Sequence, residues 1–419
     1  MLLASGLPAA ARAGTNGTTQ IDASTLFYGE QGRVKVLEPM ARITRIYPNG
    51  QSISAQLGID VISGASPSGA TPSGVMQTTT SASGTVTTVS PDQIPVTDFQ
   101  DLRGSLDVDW KKPFGIFTPT VGGHFSHEKD YQSVGGNVTL SADLMQKLTT
   151  VTVGVGMNHD STFPVNGIST GLTVPIQTGG GDDSRPGDAI AEGPSESGST
   201  NPSSSPKKVI NVLAGVSRVL TRRWMLGAHV TRTLEDGYLT EPYKVLSVLD
   251  AAGFTVKQLT EKRPDTRNRT SILGTTVYHL SSDVLYASYR FYQDDWDLRS
   301  NTVDLKWRHE LEDNRFFMPH LRYYKQTESS FFRSNLVDGQ PLPEFATSDY
   351  RLGPLETLTV GGTYGFHFME YPGEWSIRAE YMAQIGDSHP DEATGVQREF
   401  DLYPTQNIGS IVVGYSIEF

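Results

Sequence analysis

Residues Asn407 to Phe419 alternate with a period of two. Gly409, Ile411, Val413, Tyr415, Ile417 and Phe419 fall on one face, and Gly414, Ser416 and Glu418 end the other. This is the pattern of a strand with one apolar and one wetter face, because successive side chains point to opposite sides of a sheet. The alternation recurs along the chain, and no apolar run approaches the roughly 20 residues of a spanning helix. A bilayer, if this chain meets one, is therefore crossed by strands. Lipid then demands a closed barrel, because no water is present to satisfy an open sheet edge.

The pattern divides the sequence into about sixteen predicted strands: 18–28, 33–47, 50–63, 99–111, 115–127, 131–142, 147–159, 207–220, 223–234, 267–280, 283–294, 298–310, 315–330, 355–368, 374–386 and 405–419. Every other connection is short and carries turn residues, as at Pro48-Asn-Gly50 and Glu312-Asp-Asn314. The long connections, 64–98, 160–206, 235–266, 331–354 and 387–404, all fall on the opposite side. Short periplasmic turns and long extracellular loops belong to a transmembrane antiparallel up-and-down β-barrel. The Ser/Thr/Gly-rich loops 64–98 and 160–206 are expected to be disordered, since they carry little to bury.

Within 14–419 nothing marks a second domain. Residues 1–13 end in Ala11-Arg-Ala13, a small-x-small cleavage site, and read as the remainder of a secretory signal peptide. With 42 Gly, 17 Tyr and 17 Phe the composition suits a strand wall with aromatic girdles. The absence of Cys rules out disulfides, thiolate metal sites and a Cys nucleophile. A net charge of −12 without a basic face argues against nucleic acid as a partner.

The strand faces can be assigned. In 374–386, Trp375, Ile377, Ala379, Tyr381, Ala383 and Ile385 point to lipid, while Glu374, Arg378 and Glu380 point to the lumen. In 99–111, Leu102, Leu106, Val108 and Trp110 point out, against Asp101, Arg103, Asp107 and Asp109. In 298–310, Val303, Leu305 and Trp307 point out, against Asp304, Lys306 and Arg308. The same rule places Asp60, Arg267, Arg269, Arg290, His320, Arg322, Glu328 and His367 inside. Asp304 is expected to pair with Arg290 or Arg322 across strands. Such a lumen reads either as an ordinary ladder of screened ion pairs or as a mixed-charge constriction that selects polar solutes.

The terminal strand, with Tyr415 and Phe419, resembles the end signal by which bacterial outer-membrane barrels are handed to the barrel-assembly machinery. Asp60-Val-Ile-Ser-Gly-Ala-Ser-Pro67, with Glu30-Gln-Gly-Arg33 and Arg263-Pro-Asp-Thr-Arg-Asn-Arg269, is similar to the bacterial family filed as domain of unknown function 3570. The resemblance implies a barrel in the bacterial outer membrane, in contact with lipid and lipopolysaccharide, with no established activity. It also implies gene neighbours of redox character, among them a small lipoprotein.

Other chemistry is thinner. Asp294, Asp295 and Asp297 on a tight outer turn could hold a divalent cation weakly, although their spacing matches no calcium loop. His279, His320 and His367 point inward near the periplasmic end and read as hydrated lumen side chains rather than a metal site. No catalytic motif is present, and no cofactor is called for. The leading expectation is a polar-lined conduit, or a housing for a small lipoprotein or redox partner. A hydrolase built on surface loops and a surface adhesion protein are the alternatives.

Overall fold

The computed structural model describes residues 17–81, 85–165, 167–175, 203–368 and 371–419. The ring of strands opens with β1 (Thr18–Glu30), β2 (Lys35–Ile46) and β3 (Ser52–Pro67). A hairpin outside it follows, β4 (Gln77–Thr80) and β5 (Val86–Val89). The ring resumes with β6 (Val96–Lys111), β7 (Phe117–His127), β8 (Tyr131–Leu144), β9 (Thr149–Thr162), β10 (Ser205–Thr221) and β11 (Trp224–Gly237). After β12 (Val245–Leu249) and β13 (Thr255–Thr260), which leave it, come β14 (Thr266–His279), β15 (Val284–Asp294), β16 (Arg299–Glu310) and β17 (Phe316–Gln326). β18 (Leu336–Val337) is again outside, and β19 (Leu355–Phe368), β20 (Tyr371–Gly386) and β21 (Gln406–Glu418) complete the ring.

Sixteen of these strands bond in chain order, and β21 pairs antiparallel with β1, so the sheet closes and leaves no free edge. Register follows the alternation. Between β16 and β17, Asp304 faces Arg322, Leu305 faces Leu321 and Val303 faces Tyr323. A slip of one residue would turn Lys306 and Arg322 toward lipid, at about 2–4 kcal/mol each near the midplane. The ring strands match the sixteen predicted segments, with ends that differ by a few residues. The clearest change is β17, which stops at Gln326 rather than 330. The inner connections are each five residues or fewer, and all the long ones lie at the outer end.

The outer end departs from expectation. The described residues of 64–98 do not form a disordered loop: β3 and β6 stay paired as far as Pro67 and Val96, and β4 with β5 forms a hairpin between them. The five long outer connections bond to one another. The Thr71 amide donates to Ser247 Oγ at 3.0 Å, and the Val245 amide to the Ser68 carbonyl at 2.9 Å. Gln397 Nε2 donates to the Pro72 and Gly253 carbonyls, both at 2.8 Å. The Leu172 amide reaches the Thr260 carbonyl. These connections root between β3 and β6, β9 and β10, β11 and β14, β17 and β19, and β20 and β21, around most of the ring. Their meeting lays a cap across the outer mouth.

The cap has its own apolar cores. Leu246, Val248, Leu259, Leu336 and Ala346 form one, under a small sheet in which β12 lies between β13 and β18. Trp296, Leu298, Phe331 and Leu352 form the other. Composition misleads here because each loop buries its few apolar residues against a different loop. Residues 1–13, read as a leader, and 176–202 of the largest loop lie outside the described residues.

Candidate functional site

Two polar regions meet at the outer end of the barrel, the charged lumen wall and a pocket in the cap. The wall is built by cross-strand neighbours. Asp60 on β3 faces Arg103 on β6, and the two form an ion pair. The Asp107 carboxylate accepts from the His124 ring Nδ1 at 2.7 Å across β6 and β7. Arg42 lies 3.7 Å from Asp109 and donates to Ser54 Oγ. Farther round, Arg269 pairs with Glu235 and Arg267 with Asp294, both at 2.6 Å. Arg308 pairs with Glu310 and lies over the Phe316 ring, 3.6 Å from its centroid.

The densest part of the wall centres on His320. Its two ring nitrogens sit 2.8 Å from carboxylate oxygens of Asp304 and Glu380. Arg322 donates to the same Asp304 at 2.7 Å, with Lys306 3.9 Å away, and Arg378 lies 3.8 Å from Glu380. β19 separates β17 from β20, yet His320 reaches across it because its neighbour there is Gly361. A Cβ at Gly361 would stand 2.7 Å from the Glu380 side chain. Asp304 thus takes Arg322 as its guanidinium partner; Arg290, opposite Leu273 and Thr302, makes no ion pair among the described residues.

Two expectations change, at Glu328 and at the acidic outer turn. Glu328 is not on the lumen wall: the chain leaves the sheet after Gln326, so that Phe331 can pack against Trp296 in the cap. Of the other lumen histidines, His279 bonds its neighbouring carbonyl at Leu280, and His367 the Asn314 carbonyl at 3.2 Å. Asp294, Asp295 and Asp297 form no cation cage. Asp294 turns inward to Arg267, Tyr292 and the Trp296 and Leu298 amides, Asp295 caps Asn268, and Asp297 carries the turn at φ 66°. The carboxylates that do converge, among the described residues, are Asp101, Glu128 and Asp130, with oxygens within 4.8 Å of one another. Burial first, then Asp101 and Asp130, pushes the Glu128 carboxyl up to about 7.

In the cap, the three segments quoted from the sequence come together. Gly64 takes φ 136°, and a Cβ there would overlap the backbone of Arg33 and Val34, so the β3 exit is pressed against the turn after β1. Lys244 donates to Ser66 Oγ at 3.3 Å and to the Pro67 carbonyl. Arg33 lies over the Tyr350 ring, 5.8 Å from its centroid. Arg263 pairs with Glu261 at 2.6 Å and Asp349 at 2.9 Å, and Arg351 pairs with Asp349 at 2.6 Å. Burial alone would raise the Asp349 carboxyl, but Arg351, Lys244 and Arg263 hold it far below the usual carboxylate range. Burial pulls the Lys244 ammonium down against the attraction of Asp349.

Arg33, Lys244, Asp349 and Tyr350 border a pocket with about 760 Å³ of non-protein space, part of it open to solvent. Ala70, Pro72, Ile94, Phe332 and Leu402 supply its apolar wall. Leu355 and Gln384, the outer ends of lumen-facing rows, form its floor, so the pocket sits at the top of the lumen. Lys244, Asp349 and Tyr350 carry no signature of their own in the sequence. The available signal was the run Val245-Leu-Ser-Val-Leu249 and the pair Phe331-Phe332, too apolar for solvated loops.

No curated protein sequence matches this chain significantly. Among solved structures, the outer membrane protein OpdK of Pseudomonas aeruginosa is similar over 96% of this chain and 99% of its own, at 6% identity and a TM-score of 0.40. OpdQ of the same organism is similar over 96% and 99%, at 7% identity and a TM-score of 0.41. CdiB from Acinetobacter baumannii is similar over 95% of this chain and 60% of its own, at 8% identity and a TM-score of 0.44. A family model matches residues 4–417, and the chain belongs to that family, described as protein of unknown function DUF3570.

Proposed function

We propose that this barrel resides in the outer membrane and conducts small polar solutes through its charged lumen, with the loop cap governing entry from outside. The observation that carries this reading is the pairing of charges along the lumen face, from Asp60–Arg103 through Asp304–Arg322, beneath a pocket floored by lumen-facing residues. Paired charges leave a wet wall without a strong single-sign field, which suits neutral and singly charged solutes.

Single-channel recording of the refolded full chain tests it. The intact protein is expected to give small or intermittent steps. A variant whose segments 240–262 and 331–348 are replaced by short Gly/Ser turns should give stable ohmic steps several-fold larger. A folded, trimmed barrel that stays silent would sink the conduit. The housing for a periplasmic partner would then take its place, favoured by inner connections too short to cover the inner mouth.

A further inference from the structure

The cap pocket holds polar groups that the protein itself leaves unused. Arg33 is half-buried beside Tyr350, and no carboxylate lies within 4.0 Å of its guanidinium among the described residues. Lys244 is only 6% exposed, and two of its three N–H donors are taken by Ser66 and Pro67. Thr71 is 4% exposed, and its Oγ1 has no hydrogen-bond partner, although buried hydroxyls ordinarily find one. All three residues border the same pocket. Among the described residues the one acid on that border is Asp349, already shared by Arg263 and Arg351.

We propose that this pocket binds a small monocarboxylate with an apolar or ring-shaped body, its head taken by Arg33 and Lys244 and its body laid against Ile94, Phe332 and Leu402. The planar guanidinium offers the two parallel donors that a carboxylate accepts. A single negative charge balances the unpaired cation, whereas a dianion would also face Asp349. The bound carboxylate would offset the burial that disfavours the charged form of Lys244. The inference supplies a solute class for the conduit and rests on that reading only for passage through the lumen.

Equilibrium titration of the refolded full chain with phenylacetate tests the site, with phenylacetamide as a neutral isostere. Phenylacetate is expected to saturate at a concentration at least tenfold below phenylacetamide. Arg33→Gln should weaken phenylacetate at least tenfold while leaving phenylacetamide and the heat-modifiable gel mobility of the folded barrel unchanged. Equal affinity for the two probes, or an unchanged phenylacetate affinity in R33Q, would overturn the proposal. Liposome flux of the same probe separates it from the conduit. Phenylacetate that binds but does not pass keeps the site and sinks the conduit; neutral solutes that pass while phenylacetate fails to bind sink the site and keep the conduit.

Discussion

At the scale of single residues, the lumen wall is most exposed to damage where charges share a partner. His320 separates two carboxylates that are themselves mostly shielded, Asp304 and Glu380, with side chains 15% and 12% exposed. His320→Ala would leave both facing a gap that only water can fill. Removing one member of a buried charge group costs about 3 kcal/mol or more, because the partner's desolvation is no longer offset. The urea midpoint of the refolded barrel, followed by gel mobility, is expected to fall accordingly. Adding Glu380→Gln should recover part of the loss, since Asp304 keeps Arg322 at 2.7 Å. A double variant no more stable than H320A would mean that the two carboxylates do not feel each other.

At the scale of elements, the strands were legible and the loops were not, for one physical reason. A barrel strand states its fold locally: Val303, Leu305 and Trp307 must meet lipid while Asp304 and Lys306 must not, so period two is enough. A cap residue takes its place from loops distant in sequence. Thr71 is held by Ser247, Gln397 by Pro72 and Asn335 by Thr394, and no local pattern announces such partners. The same reason misplaced Glu328, whose strand ends where Phe331 turns into a core made by other loops. Gly64, where β3 parts from β2 but stays paired to β6, lies in the Asp60–Pro67 segment that the sequence singled out. Gly64→Ala forces a positive φ on a residue with a Cβ and drives it into the Arg33 carbonyl, so a loss of about 1–3 kcal/mol is expected. Because the strain falls on the turn bearing Arg33, trypsin should cut there several-fold faster than in the wild type. Unchanged cleavage would show that β1, β2 and β3 yield without disturbing the cap.

At the scale of the whole molecule, barrel and cap answer to different forces and should be separable. The barrel is a closed hydrogen-bonded ladder with its apolar side in lipid, whereas the cap relies on small water-facing cores and on one buried charge cluster. Within the cluster Asp349 gives the cap an acid sensitivity, opposed by Glu261, whose carboxyl is raised by burial. Asp349 has its folded-state pKa depressed by Arg351, Lys244 and Arg263, so it contributes stability above the ordinary carboxylate range. That contribution is lost progressively as pH falls below that range, since the unfolded loop then binds the proton more readily than the folded one. Lowering pH from 6 to 3 should therefore loosen the cap before it affects the barrel. Trp296, packed on Phe331 at 5.1 Å between ring centroids, reports the event by fluorescence, while gel mobility of the barrel stays folded. Asp349→Asn should loosen the cap already at neutral pH, since it leaves Arg263 with one carboxylate fewer, and should flatten the acid response. If the cap governs entry, channel activity rises in parallel, at low pH in the wild type and at neutral pH in D349N. A Trp296 signal that moves without any change in conductance would detach the cap from the conduit and leave it a folded surface structure.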